Sequence, residues 1–423
     1  LKIEQENATV RNSWLLGVGP QNIIWLVGLS LTLFILLLPS ASYVAALPFI
    51  KQEWDLNNTQ AGMVYSGYMA GYALSALLVI PMTDRLATKY IFIASAVISV
   101  TTQVLFPLVA DGMVSGTVLM AFAGVGLVGV YMPGLRVISE RFKDRGRGMA
   151  MGAFVTFSYG AHAASLASTG GLMSALEWRD AYLLLAVAST ASLPVGYLLL
   201  RGHHRSGMRP SSGRLDLRVL QNRAARLFIL GYSLHAVELY AVRVWLPAFL
   251  AATLIARGTD DEQAVIRAAT VGGIALTAGA LGPVVGGVIS DRWGRATSAA
   301  AIFALSGACS WLIGWTGNFP WAVIVAVAVV YGWAIAADSA IYSTAITELA
   351  HPSNLGSTMA VQAFMGFMGG VVGPIVVGGI LDISNESFRW GFSVVGLLAV
   401  VAVSGLLWAR SISISRPVAT SDG

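Results

Sequence analysis

One stretch places ionisable side chains where they are least expected. It is the otherwise apolar string Leu234-His235-Ala236-Val237-Glu238-Leu239-Tyr240-Ala241-Val242-Arg243-Val244-Trp245. His235 and Glu238 are three residues apart, so on a helix they share a face. Glu238 and Arg243 are five apart, and direct pairing would need a bend or the full reach of both side chains. A charged group in hydrocarbon costs about 2.5–3.5 kcal/mol on insertion scales, so each of the three is a functional candidate. At 1.5 Å per residue, Glu238 falls near mid-depth of its span and Arg243 in the outer half. Two readings stay open: self-neutralisation within a packing network, or Arg243 holding an anion, bidentately if a carboxylate, with Tyr240 beside it. Either is compatible with Glu238 carrying a proton and His235 modulating it.

Other polar residues fall inside apolar runs. Asp338, in Trp333-Ala-Ile-Ala-Ala-Asp-Ser-Ala-Ile-Tyr342, could carry a proton or a cation, or could bond to neighbouring helix groups. His162 lies among Ser158, Tyr159 and Ser165, either packed or in contact with a substrate. Arg136 stands one turn before Glu140 at a span end, as an interface anchor or gate residue. Tyr43, Tyr65, Tyr68, Tyr72 and Tyr131 could line a cavity for an organic substrate. Tyr65, Tyr68 and Tyr72 share one helix face by their spacing, a pattern that plain packing would also produce.

The elements that must position these groups are membrane helices. Of 423 residues, 56% are hydrophobic and 11% charged, with a mean hydropathy of +0.72. A soluble domain carries about a quarter charged residues, so a soluble enzyme and a disordered chain are both excluded. The 46 glycines suit close helix packing in lipid. Cys309 is the sole cysteine, which excludes an intrachain disulfide and a thiolate cluster. A phosphate-cradling Gly-x-x-x-x-Gly-Lys-Ser/Thr string is missing, and no cofactor or resident metal is expected. The net charge of +5 reads as loop bias and not as nucleic-acid binding.

Twelve runs are long enough to cross about 30 Å of hydrocarbon. They lie near 22–47, 61–82, 90–109, 115–138, 148–173, 181–200, 227–254, 268–290, 297–315, 321–347, 357–381 and 388–409. The expected organisation is a polar segment 1–21, a six-helix bundle 22–200, a basic linker 201–226, a second six-helix bundle 227–409 and a tail 410–423. The first run is expected to be a retained helix and not a cleaved signal. The linker holds seven arginines (Arg201, Arg205, Arg209, Arg214, Arg218, Arg223, Arg226) against the single acid Asp216. Alternate assignment of loops leaves only Lys51, Arg179, Arg257, Arg267 and Arg389 on the opposite side. Both termini and the linker are therefore expected to be cytoplasmic, in a bacterial inner membrane.

The halves repeat. Asp84-Arg85 recurs as Asp291-Arg292; Glu140 followed by Gly148 recurs as Glu348 followed by Gly356. Gly170-Gly171 then Trp178-Arg179 recur as Gly378-Gly379 then Arg389-Trp390. The order is the same and the interval nearly so. Six spans is an even number, so the repeats are parallel, related by an axis along the membrane normal. The fold class expected is an all-α integral membrane protein of twelve transmembrane helices in two parallel six-helix repeats.

Over essentially its whole length the chain resembles the major facilitator superfamily of secondary transporters. Gly287, Asp291, Arg292, Gly294 and Arg295 match that family's Gly-x-x-x-Asp-Arg-x-Gly-Arg loop. The first-half copy keeps Asp84, Arg85 and Lys89, with Ile80, Ala87 and Thr88 in place of two glycines and a base. Gly294 suits a tight turn with positive φ, and Asp291 ends a helix where its own dipole disfavours an acid. The resemblance implies contacts across the halves, with Asp291 facing the fifth span near Gly148 and Asp84 facing the eleventh near Ser357. It also implies rocker-switch alternating access and a site at mid-depth between the halves. The expected function is secondary transport of a small organic or inorganic anion, coupled to protons, by a monomer in the lipid bilayer. Efflux of a drug-like or cationic compound, or a non-transporting receptor on the same fold, are the alternatives.

Overall fold

A computed structural model describes residues 19–142, 145–201, 217–349 and 355–414; within these, the side chains of 81, 83–85, 145–148, 217, 218, 355–357, 413 and 414 are not described. The segment 1–18, most of the linker and the tail from 415 therefore lie outside the described residues.

The spans, in order, begin with Pro20–Leu36, continued by the short helices Ser42–Ala45 and Leu47–Glu53. The second to fifth are Asn58–Arg85, Thr88–Val109, Met113–Arg141 and Arg145–Leu172. The sixth is Trp178–Ser189 with Ser192–Leu200. The seventh is one unbroken helix, Arg223–Ile255, and the eighth is Asp261–Ala280 with Gly282–Trp293. The ninth is Arg295–Ile313, the tenth Trp321–Ala337 with Ser339–Leu349, the eleventh Leu355–Ile383 and the twelfth Phe388–Ile414.

Among the described residues, ten helices are long and apolar enough to cross a membrane, and Pro20–Leu36 is a shorter apolar one. The fifth span is as long as its neighbours but carries Ser158, His162, Ser165, Ser168 and Thr169, which dilutes its apolar signal. Pro48 stands at the start of Leu47–Glu53, just past a break in the first span, whereas the seventh span continues through Pro247.

The packing obeys the repeat. The second span packs on the fourth as the eighth packs on the tenth, and the third on the sixth as the ninth on the twelfth. Between halves, the second meets the eleventh and the fifth meets the eighth, which are equivalent pairs under the same exchange. The first of these seams needs small residues. A Cβ on Gly62 would stand 2.5 Å from the Pro374 carbonyl oxygen, and one on Gly378 would stand 2.4 Å from that of Asn58. Helix backbones therefore approach more closely there than any larger residue allows.

We call the face holding the 201–217 connection the linker side, and its opposite the far side. On the far side Arg179 ties three spans of the first half together. Its Nη2 donates to Glu53 Oε1 at 2.6 Å and to the Ala110 carbonyl at 3.0 Å, and its Nη1 donates to the Pro107 carbonyl at 2.6 Å. Trp178 Nε1 donates to Glu53 Oε2 at 2.6 Å. Partial burial raises the Glu53 carboxyl, but the hydrogen bonds and charge of Arg179, with Trp178, outweigh it and hold the group below the usual carboxylate range. A depressed pKa contributes stability that is present above the unfolded value and lost as pH falls through the folded one. Glu53→Gln should therefore lower the melting temperature at neutral pH by a few degrees at most, the pair being half-exposed. Thermal scans should show that difference vanish in acid; a difference that grows toward low pH is the opposite sign and rules the account out.

Candidate functional site

Arg243 sits where the halves meet. Its guanidinium lies 5.2 Å from the ring centre of Tyr240, on its own helix, and 5.4 Å from that of Tyr159 on the fifth span of the other half. Tyr65 and Tyr68 of the second span are near enough to act on its charge, and His162 is within the same electrostatic reach. Cation–π contacts of this kind are worth about 0.5–2 kcal/mol each, less than the desolvation of a guanidinium. The Nε of Arg243 is buried and has no hydrogen-bond partner, and no carboxylate pairs with Arg243 among the described residues. A small cavity of about 30 Å³ opens beside it, lined also by Leu166, Leu239, Leu246, Gly272 and Leu276.

The aromatic wall continues toward the linker side. Tyr72 and Phe367, from opposite halves, have ring centres 4.0 Å apart. Tyr131 lies 5.9 Å from Phe154, and Tyr232 stacks 6.0 Å from His235. His162 Nδ1 lies 2.8 Å from the Ser158 carbonyl. A carbonyl only accepts, so that nitrogen carries the hydrogen and Nε2 is left as the acceptor.

Self-neutralisation of Arg243 by Glu238 does not occur in this structure, because Glu238 is turned into the second half. It is fully buried, accepting from Tyr331 Oη at 2.9 Å and from Ser306 Oγ at 3.0 Å. His235 turns the same way: its Nδ1 lies 3.0 Å from Asp338 Oδ1 and its Nε2 lies 3.0 Å from Ser339 Oγ. The first contact is an ion-pair distance without hydrogen-bond alignment. Asp338 stands at the break of the tenth span, between Ala337 and Ser339. The two acids and the histidine thus form one buried polar cluster between the seventh, ninth and tenth spans, behind Arg243 and not beside it.

Tyr43 is elsewhere. It is fully buried within the first half, donating to the Ala61 carbonyl at 2.8 Å and packing edge-on against Phe106. Its hydroxyl is used in helix packing, away from the Arg243 junction. Tyr68, Tyr131, Tyr240 and His162 do gather around the junction. Tyr159, Tyr232 and Phe367 join them without having been singled out as lining residues. An aromatic residue in an apolar run carries no sign of which face it occupies, so only helix rotation reveals them.

The loop between the eighth and ninth spans has the expected turn, with Gly294 at φ +82°. Its charges, however, pair within the second half. Arg295 Nη1 donates to Asp291 Oδ1 at 2.6 Å and to Ser290 Oγ at 2.9 Å, and Nη2 donates to Glu348 Oε1 at 2.8 Å. Asp291 is exposed and held by Arg295 of the following helix, and the fifth-span residues near Gly148 that it was expected to face fall outside the described side chains. Arg292 is exposed beside it. Asp84, Arg85, Gly148 and Ser357 fall among the side chains that are not described. Arg136 Nε donates to Glu140 Oε1 at 3.0 Å along one helix face.

Comparison with known proteins agrees with this architecture. The family model described as Major Facilitator Superfamily matches residues 29–319 and 229–422. Over 281 residues the chain is 26% identical to a probable sulfoacetate transporter of Cupriavidus necator, covering 61% of this chain and 62% of that one. It is 22% identical to a hexuronate transporter of Bacillus subtilis, covering 90% and 92%, and 25% identical to a gallate transporter of Pseudomonas putida, covering 85% of each. Among solved structures, a bacterial homologue of the human lysosomal transporter Spinster, inward-facing and occupied, superposes with a TM-score of 0.76 at 15% identity, covering 95% of this chain and all of that one. With twelve spans in two parallel repeats and a family match along nearly its whole length, the chain belongs to the major facilitator superfamily and is a membrane transporter, not an enzyme.

Proposed function

We propose that this protein carries a small organic anion across the membrane by alternating access, with Arg243 as the cation that holds the cargo between the halves. The observation that carries the reading is the unneutralised guanidinium at the junction, walled by Tyr65, Tyr68, Tyr159 and Tyr240 from both halves. A buried charge without a partner is costly, and a bound carboxylate or sulfonate supplies the missing charge and two parallel hydrogen bonds. The names of the three relatives are consistent: sulfoacetate, hexuronate and gallate are all small organic anions. His162 and Tyr131 complete the lining. Efflux of a cation would need acids at the junction, and Glu238 and Asp338 lie behind it.

Transport is driven by protons in this reading, through the cluster of Glu238, Asp338 and His235. The linker side is cytoplasmic by its arginines, the membrane is a bacterial inner membrane, and one chain suffices. Arg136 with Glu140, and the loop of Asp291, Arg292, Gly294 and Arg295 with its first-half counterpart Asp84 and Arg85, act as the linker-side gate. The direct test uses purified protein in nanodiscs with glucuronate, gallate, sulfoacetate and, as a cationic control, tetraphenylphosphonium. At least one of the anions should raise the melting temperature in proportion to the logarithm of its concentration, and the cation should not. Stabilisation by the cation alone would reverse the assignment of charge.

A further inference from the structure

On the far side a carboxylate of the second half caps a helix of the first. Asp382, near the end of the eleventh span, accepts four hydrogen bonds from the first turn of the second span. Its Oδ1 takes the Asn58 backbone N–H and the Asn58 Nδ2, each at 2.8 Å. Its Oδ2 takes the Thr59 backbone N–H at 2.9 Å and the Thr59 hydroxyl at 2.5 Å. These are donors that a helix start leaves without intrahelical partners, and the helix dipole favours an anion there. The local sequence prepares the site: Asn57 caps the same helix with its own side chain in a reciprocal pair with Gln60, so the turn presenting Asn58 and Thr59 is already ordered. Lys51 then bridges Asn58 Oδ1, at 2.5 Å, to Glu386 Oε1 of the second half, at 3.3 Å. Directly beneath, Gly378 lies against Asn58 and Gly62 against Pro374. Deeper still, the Ser66 hydroxyl donates to the Val371 carbonyl at 2.7 Å.

We infer that Asp382 is the far-side gate residue of the transport cycle: its cap on the second span holds the far side shut, and its release precedes opening to that side. The hydrogen bonds of Lys51, Asn58, Thr59 and Ser66 that cross between the halves lie on this side, while the bonds of Arg295 to Asp291 and Glu348 on the linker side stay within the second half. The strength suits a contact that must break in every cycle. Asp382 is exposed to solvent, so water screens its charge and can replace the lost hydrogen bonds on opening. The four-fold geometry makes closure specific without making it permanent. The eleventh span thus caps the start of the second on the far side, the reverse of the contact expected of Asp84 at the linker side.

The inference rests on the alternating-access part of the proposed function and not on the nature of the cargo. Its test therefore needs no substrate. In a Cys309→Ser background, Ser66→Cys places one thiol at a position that is 2% exposed in this state and becomes accessible when the far side opens. Labelling by a membrane-impermeant maleimide in nanodiscs reports the open fraction. Asp382→Ala should speed labelling at least tenfold, equivalent to about 1.4 kcal/mol in the open–closed equilibrium, and Asp382→Glu should fall between it and the parent. Should Asp382→Ala not fold, Thr59→Val removes one of the four bonds and should give a two- to threefold increase. A folded Asp382→Ala protein, or failing that Thr59→Val, labelled at the parent rate overturns the gate. That result would leave the Arg243 site standing, and failure of anion binding would leave the gate standing.

Discussion

Replacing Arg243 by alanine should weaken binding of the transported anion at least about thirtyfold while leaving the empty protein folded and at least as stable as the parent. The two halves of that expectation come from one observation. The Nε of the guanidinium is buried between the halves and, among the described residues, no carboxylate neutralises it. Truncating one partner of a buried hydrogen-bonded charge pair costs about 2–5 kcal/mol of binding, which is roughly a thirtyfold to several-thousandfold loss in affinity. In the empty protein the same truncation removes a costly charge and not an ion pair, so stability should hold or rise. Arg243→Lys keeps the charge but loses the planar fork, and should weaken carboxylate binding by about tenfold in proportion to one lost charge-assisted hydrogen bond. Titration calorimetry for binding, with thermal scans of the apo proteins, checks both. An Arg243→Ala protein that binds the anion like the parent would end the assignment. One that loses both binding and several degrees of melting temperature would make Arg243 a packing residue that Tyr159 and Tyr240 hold for stability.

Glu238→Gln should uncouple transport from the pH gradient while preserving exchange of anion for anion. The amide oxygen can still accept from one of Tyr331 and Ser306, and the amide NH2 can donate to the hydroxyl oxygen of the other, so packing is nearly conserved, but the group can no longer lose or gain a proton. In liposomes, an imposed pH gradient should drive accumulation by the parent and not by Glu238→Gln, with counterflow retained to within a fewfold. Asp338→Asn belongs in the same experiment, because His235 brings Asp338 into one cluster with Glu238 on the seventh span. If Asp338→Asn uncouples and Glu238→Gln does not, Glu238 is a structural acceptor and the coupling group sits at the break of the tenth span. If both respond to the gradient as the parent does, protons do not pass through this cluster at all.

Little of the architecture needed coordinates. Low charge, twelve long apolar runs, marks recurring in order at one interval, and the Asp291-Arg292-x-Gly294-Arg295 turn were sufficient for the span count and the parallel repeat, because lipid forces every backbone polar group into helices. Gly294 was legible too: so tight a connection between antiparallel helices demands a left-handed backbone, and the single residue between Trp293 and Arg295 has it at φ +82°. The buried ionisable residues were also visible, since charge in hydrocarbon stands out by composition alone.

What the sequence by itself determined, then, is which residues are costly where they stand; only the tertiary structure decided where each one points. Helical periodicity puts His235 and Glu238 on one face but does not say that the face meets Ser306, Tyr331 and Asp338. Nor does it say that Arg243, less than two turns on, looks the other way toward Tyr159. Tyr43 and Tyr68 are alike in an apolar run, yet one is spent on the Ala61 carbonyl and the other lies by Arg243. Asp382 drew no notice as one acid at the end of one span, because its partners lie more than three hundred residues away. Rotation of each helix about its axis is set by the summed packing of all its neighbours, and that sum is not written in any single stretch.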